Sequence, residues 1–93
     1  MASKAKIWKT TLNPHQQFID LYLPLYKDVH MTVGIDGYNQ VCLWYAVDDS
    51  AIPTTIRIHR VFTGVDYDPD MLYLGTVVVP GTELVCHYFM EVR

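Results

Sequence analysis

The chain has few groups with which to grip a charged polymer or to hold a metal. Among 93 residues it carries two cysteines, four histidines and only seven lysines and arginines, against ten acidic residues, for a formal charge of −3. Binding to duplex DNA is therefore not expected, because displacing counterions from phosphates takes many cations. His15, His30, His59 and His87 are scattered, and no CxxC, HxxxH or HExxH spacing occurs, so neither a metal site nor a cofactor is expected. There is no GxSxG elbow and no glycine-rich phosphate loop. GVDYDPD places Asp66, Asp68 and Asp70 at calcium-loop spacing, but Pro69 and the missing distal glutamate spoil that ligand set, and a solvated turn is the better reading. The apolar runs are too short to cross a bilayer, and MASKAKIW lacks the apolar region of a secretion signal. A soluble, intracellular chain away from membranes is expected. There Cys42 and Cys86, each inside an apolar run, act as small reduced hydrophobes.

What the chain does have is apolar residues, 51% of the total, and rings: Trp8, Trp44, seven tyrosines and three phenylalanines. They follow strand grammar, with period-two alternation or short β-branched and aromatic runs bounded by Gly, Pro or Asp. The clear cases are residues 6–12, 30–35, 41–47, 54–62, 71–79 and 83–92, with tight turns at DGYN (36–39) and PGT (80–82). The stretch NPHQQFIDLYLPLY is ambiguous. Asn13 can cap a helix with Pro14 in its first position, and Phe18, Tyr22 and Tyr26 recur at spacing four. Against a helix, Ile19, Leu21 and Leu23 alternate with Asp20 and Tyr22, and Pro24 ends the segment, which favours a strand over 17–23. One domain over residues 1–93 is expected, with 1–5 as a flexible N-terminus. Its fold class is all-β: a small antiparallel sandwich or partly closed barrel of six to seven strands. Trp44, Ile58, Val77 and Phe89 are expected in its core.

Candidate site residues gather in TTIRIHRVF (54–62), where Arg57, His59 and Arg60 fall within four positions. If residues 48–53 close a hairpin, Trp44 pairs with Ile58 and Tyr45 with Arg57, so the guanidinium lies over the Tyr45 ring. Tyr45, Arg57 and His59 then form a face able to bind phosphate or carboxylate, since a planar guanidinium donates two parallel hydrogen bonds. Arg60 falls on the core side, tolerable near a strand end or beside a carboxylate. The plain alternative is pairing with the acidic loops at Asp48–Asp49 and Asp66–Asp70. Asp66 and His87 complete the candidate ligand-binding set. His87 is equally readable as a strand histidine that satisfies a neighbouring backbone group. No nucleophile stands next to a base at recognisable spacing, so a non-catalytic role is expected over a small His87- or His59-dependent enzyme.

Four pieces, KIWKTTL, LWYAVDDSAIP, RIHRVFTG and YLGT with LVCHYFMEV, span nearly the whole chain. In order and spacing they resemble a family of small proteins encoded by bacteriophages and prophages, catalogued as a domain of unknown function. Its members read W-x-L, LWALVDP-x-AP, R-x-F-x-GTGH and YIGT…LVxHxFE. Matches include Trp8, Leu12, Trp44, Pro53, Tyr73, Gly75, Thr76, His87 and Phe89, while TGVD at 63–66 replaces the loop histidine of GTGH. The resemblance implies phage origin and a small β fold, and with the missing secretion signal the expected location is the host cytoplasm. It implies no mechanism; because the chain carries no catalytic motif, we expect an accessory protein that acts by binding, countering host defence by sequestering a small anionic nucleotide signal or occluding a host protein. A minor virion component is the alternative. A homo-oligomer, dimer or tetramer, is expected from a ring-rich surface and strand edges that so small a sheet cannot cover.

Overall fold

A computed structural model describes residues 4–91. Seven strands follow in chain order: β1 (Ala5–Thr11), β2 (Phe18–Leu23), β3 (Met31–Ile35), β4 (Val41–Asp48), β5 (Thr54–Phe62), β6 (Leu72–Val78) and β7 (Val85–Met90). All neighbours are antiparallel. They form a three-stranded sheet, β1-β4-β3, facing a four-stranded sheet, β2-β5-β7-β6, and do not close into a barrel. Residues 1–3 of the expected flexible N-terminus lie outside the described residues, whereas Ala5 already belongs to β1.

The NPHQQ stretch opens with a turn. Asn13 Oδ1 accepts the His15 amide at 2.9 Å, and the Asn13 carbonyl accepts the Gln16 amide at 3.0 Å. That side-chain hydrogen bond gives the backbone an alternative to a helical turn, and β2 begins at Phe18. Pro24 then carries the chain from one sheet to the other: its carbonyl accepts the Asp48 amide at 2.8 Å, and Leu25 bridges Val47.

The β4–β5 connection is the main correction to the sequence reading. Residues 48–53 are a crossover between sheets, held by Asp48 Oδ1 accepting both the amide and the hydroxyl of Ser50 at 2.9 and 2.7 Å. Trp44 therefore does not pair with Ile58, nor Tyr45 with Arg57. Leu43, Tyr45 and Val47 point into the sandwich, while Trp44 lies half-buried on the outer face opposite Thr32 and Lys9. Gly34 explains the placement, since a Cβ there would stand 3.2 Å from the Trp44 ring. The ring lies across the sheet where a side chain is missing. Both faces of β4 are apolar, so alternation alone could not choose between them.

The interior combines Val41, Leu43, Tyr45 and Val47 of β4 with Ile56 and Ile58 of β5, Leu74 and Val77 of β6, and Cys86, Tyr88 and Met90 of β7. Each large apolar side chain fully withdrawn from water contributes about 1.5–3 kcal/mol. Ile58 and Val77 are core residues as expected; Phe89 is also buried, but on the outer face of its sheet. Cys42 and Cys86 are buried and unbridged. Among the described residues, no helix is long and apolar enough to cross a membrane.

Candidate functional site

Strand alternation sets the outer face of the four-stranded sheet. Arg57 and His59 of β5 project there beside Asp20 and Phe18 of β2, and His87 and Phe89 of β7 lie beside Thr76 and Tyr73 of β6. The loop after β5 folds back over this face. Its Tyr67 ring stacks on Phe89 with centroids 4.5 Å apart and planes 22° apart, which is why Phe89 is buried despite facing outward.

Under that loop is a cleft of about 450 Å3, lined by Val61, Thr63, Tyr67, Tyr73, Thr76 and His87 among others, with no Lys, Arg, Asp or Glu among the described residues of its lining. Its size lies within the roughly 300–1,000 Å3 of small-ligand sites. A chain of hydrogen bonds crosses it. Thr63 Oγ1 stands 2.8 Å from His87 Nε2, Thr76 Oγ1 stands 2.9 Å from His87 Nδ1, and the Tyr73 hydroxyl bonds Thr76 Oγ1. Hydroxyls both donate and accept, so this arrangement serves either neutral tautomer of the imidazole. It holds the ring in one orientation and leaves spare hydroxyl capacity on Thr63 and Tyr73.

The β6 geometry that builds this chain is a bulge. The register with β7 shifts between Tyr73 and Gly75, so Tyr73 opposes Phe89 and Thr76 opposes His87. Two residues three apart thus share one face, which strict period-two counting separates. Gly75 permits it, with φ at +145° and a would-be Cβ only 2.9 Å from Val33 Cγ2 of β3 in the facing sheet. Thr63, Tyr67, Tyr73 and Thr76 escaped the sequence reading for this reason and because Thr63 and Tyr67 sit in the loop. The usable signal was YLGT, a glycine inside a strand pattern, which marks a bulge or a close backbone approach.

The sequence-derived candidates are only partly brought together. His87 lines the main cleft. His59, Arg60 and Asp66 border a smaller one of about 260 Å3, on the other side of Tyr67, together with Asp68 and Glu91. Tyr45 is buried in the interior, its hydroxyl 2.7 Å from Thr10 Oγ1, on the other sheet from Arg57 and Arg60. Arg57 grips Asp20 with two bonds, Nε to Oδ1 at 2.8 Å and Nη2 to Oδ2 at 3.0 Å, and its guanidinium lies 4.1 Å over the Phe18 ring. The hydrogen bond to Asp20 raises the Arg57 pKa above its ordinary value. Its partners are a strand carboxylate and Phe18, where the sequence reading had the acidic loops and Tyr45. His59 Nε2 lies 3.4 Å from Glu91 Oε1. Arg60 turns to the inner side at the end of the sandwich, donates to the Pro14 carbonyl at 2.7 Å and stacks 3.9 Å from the Phe62 ring, contacts made to a backbone carbonyl and a ring rather than to the loop aspartates expected. Asp68 Oδ1 accepts the Asp70 amide at 2.9 Å, so the acidic segment is a turn. Among the described residues, no three His, Cys, Asp or Glu side chains converge as a metal-holding group.

No curated protein and no solved structure matches the chain. One family model does, and it covers residues 3–93. The stretch matched takes in β5, β6, β7 and the covering loop, every element that lines the cleft. The chain therefore belongs to the family described as a domain of unknown function, DUF7352.

Proposed function

We propose that the protein acts by binding, without catalysis, and that the cleft under the 63–71 loop takes a flat, uncharged ring of nucleobase size with hydrogen-bonding groups on its edge. The observation that carries this is the lining. Aromatic walls meet a histidine held at both nitrogens by hydroxyls, with no Asp, Glu, Lys or Arg among the described lining residues. Aromatic side chains stack on any π-face, and a few fixed polar groups set orientation. The ring of a nucleotide signal fits this chemistry; its phosphates find no free guanidinium at Arg57, which Asp20 already engages.

Thr63 and His87 have the separation of a nucleophile from its base, yet His87 Nδ1 faces the Thr76 hydroxyl. A hydroxyl does not stabilise an imidazolium as a carboxylate does, which favours binding over acyl transfer. The resemblance to phage- and prophage-encoded proteins supports a setting in the infected cell, where such a binder would withdraw a host signal or cover an exposed ring of a host protein.

The test is to load the purified protein with a bacterial small-molecule extract, remove unbound material, denature it and identify what is released by mass spectrometry. A heterocycle released chemically unchanged from wild type, and lost from Tyr67→Ala and His87→Phe, is the expected result. Nothing released, or equal release from all three proteins, would overturn the reading.

A further inference from the structure

Among the described residues strand β1 is an edge, and a strand edge without a partner leaves a row of backbone donors and acceptors open. Its pairing with β4 runs without interruption from Ala5↔Asp48 to Thr11↔Cys42. The bond from the Leu12 amide to the Val41 carbonyl, 2.8 Å, shows which residues face β4. By alternation, Thr10, Trp8 and Lys6 turn their backbone groups inward to β4, and those of Ala5, Ile7, Lys9 and Thr11 point away from it. No proline, glycine or bulge interrupts this edge. At its centre, Ile7 and Trp8 keep 64% and 42% of their surface exposed, one on each face of the strand.

Lysines along an edge ordinarily repel a second strand. Here both lysines of β1 are matched within the chain. Lys6 Nζ stands 2.7 Å from Asp49, and Lys9 Nζ stands 3.1 Å from Asp36. The edge is therefore long, straight, apolar at its middle and locally neutral.

We propose that β1 pairs antiparallel with β1 of a second copy about a two-fold axis at Trp8, joining two three-stranded sheets into one of six strands. The register follows from the strand's own residues. An axis at Trp8 sets Ala5 opposite the partner's Thr11, Ile7 opposite the partner's Lys9 and Lys6 opposite the partner's Thr10, so every outward backbone group finds a mate and no lysine faces a lysine. An axis at Lys9 would oppose two lysines, and one at Ile7 would leave the Thr11 end unpaired. With the axis at Trp8, the two indoles form the close, non-hydrogen-bonded pair, the cross-strand position at which side chains interact most. The dimer is isologous, as two-fold closure requires, and does not depend on the reading of the cleft.

Light scattering over micromolar concentrations reads the mass, and twice the chain mass is expected. Ile7→Pro removes an edge donor at a position whose amide points away from β4, and the dimer dissociation constant should rise at least ~30-fold with the β signature of circular dichroism kept. If that variant fails to fold, cysteine pairs decide. Trp8→Cys places two thiols at cross-strand Cα separation near 4.5 Å, within disulfide range, and diamide should convert it to covalent dimer. Lys6→Cys, with its two copies about 13 Å apart along the strand, should stay uncrosslinked. A monomer mass throughout, or equal cross-linking of the two cysteine variants, would overturn the proposal.

Discussion

His87 and Asp36 show two ways in which one side chain organises its surroundings. His87 is clamped between Thr63 and Thr76 and gives the cleft a fixed polar floor. Asp36 organises the DGYN turn: its Oδ1 accepts the amides of Tyr38 and Gln40, both at 2.9 Å, while Asn39 takes φ of 59°. The Gln40 amide chiefly, with Lys9 and the Tyr38 amide, holds the Asp36 carboxyl down at about 2. A carboxylate depressed in the folded state stabilises it fully above its unfolded value, ordinarily 3.8, and loses that contribution as pH falls through the folded one. Asp36→Ala should therefore melt below wild type at neutral pH, with the gap between the two melting temperatures closing between about pH 4 and 2. Melts across that range check it; a gap independent of pH would contradict it. At this scale residue types were legible but their partners were not. His87 could be singled out by type, but whether Arg57 was free depended on Asp20, 37 positions away, and alternation within β5 says nothing of what faces it on β2.

Among the elements, β6 is the one whose irregularity matters most. Its bulge sets Tyr73 and Thr76 on the outer face and Leu74 and Val77 in the core, and Gly75 lies against Val33 of β3. Gly75→Ala should cost ~1–3 kcal/mol, from a side chain at positive φ and from the contact with Val33. Adding Val33→Ala should relieve the contact but not the backbone strain, so a double-mutant cycle in urea should recover part of the loss. A Gly75→Ala protein as stable as wild type would show that the strand accommodates the side chain. The strands themselves were readable, and β5 runs over the expected 54–62, because β-branched and aromatic residues crowd between turn-formers. Their partners were not. The 48–53 segment has the composition of a hairpin turn, yet β4 and β5 lie in different sheets, and the Trp44 ring over Gly34 fits the outward placement of that face of β4.

As a whole, the molecule is a thin sandwich, its Cα envelope 47 × 31 × 16 Å, with side chains of both sheets meeting between them and many rings left outside. Tyr22, Tyr38, Tyr67 and Tyr73 are exposed, whereas Tyr45 and Tyr88 are buried. Burial pushes the Tyr88 hydroxyl up to about 12, so it stays neutral over the working range. The fold class was legible because alternation and turn chemistry agreed along the chain. The cleft was not, because it exists only where a loop from β5 closes over β7 and β6, residues 63 and 87 meeting across a distance no local pattern spans. The most direct test of that cleft is amide NMR of labelled protein titrated with adenosine, guanosine, cytidine and uridine. Saturable shifts concentrated at Thr63, Gly64, Val65, Tyr67, Tyr73, Thr76 and His87 with at least one nucleoside are predicted. No shifts up to the solubility limit, or shifts confined to the Trp44 face of the other sheet, would contradict the account.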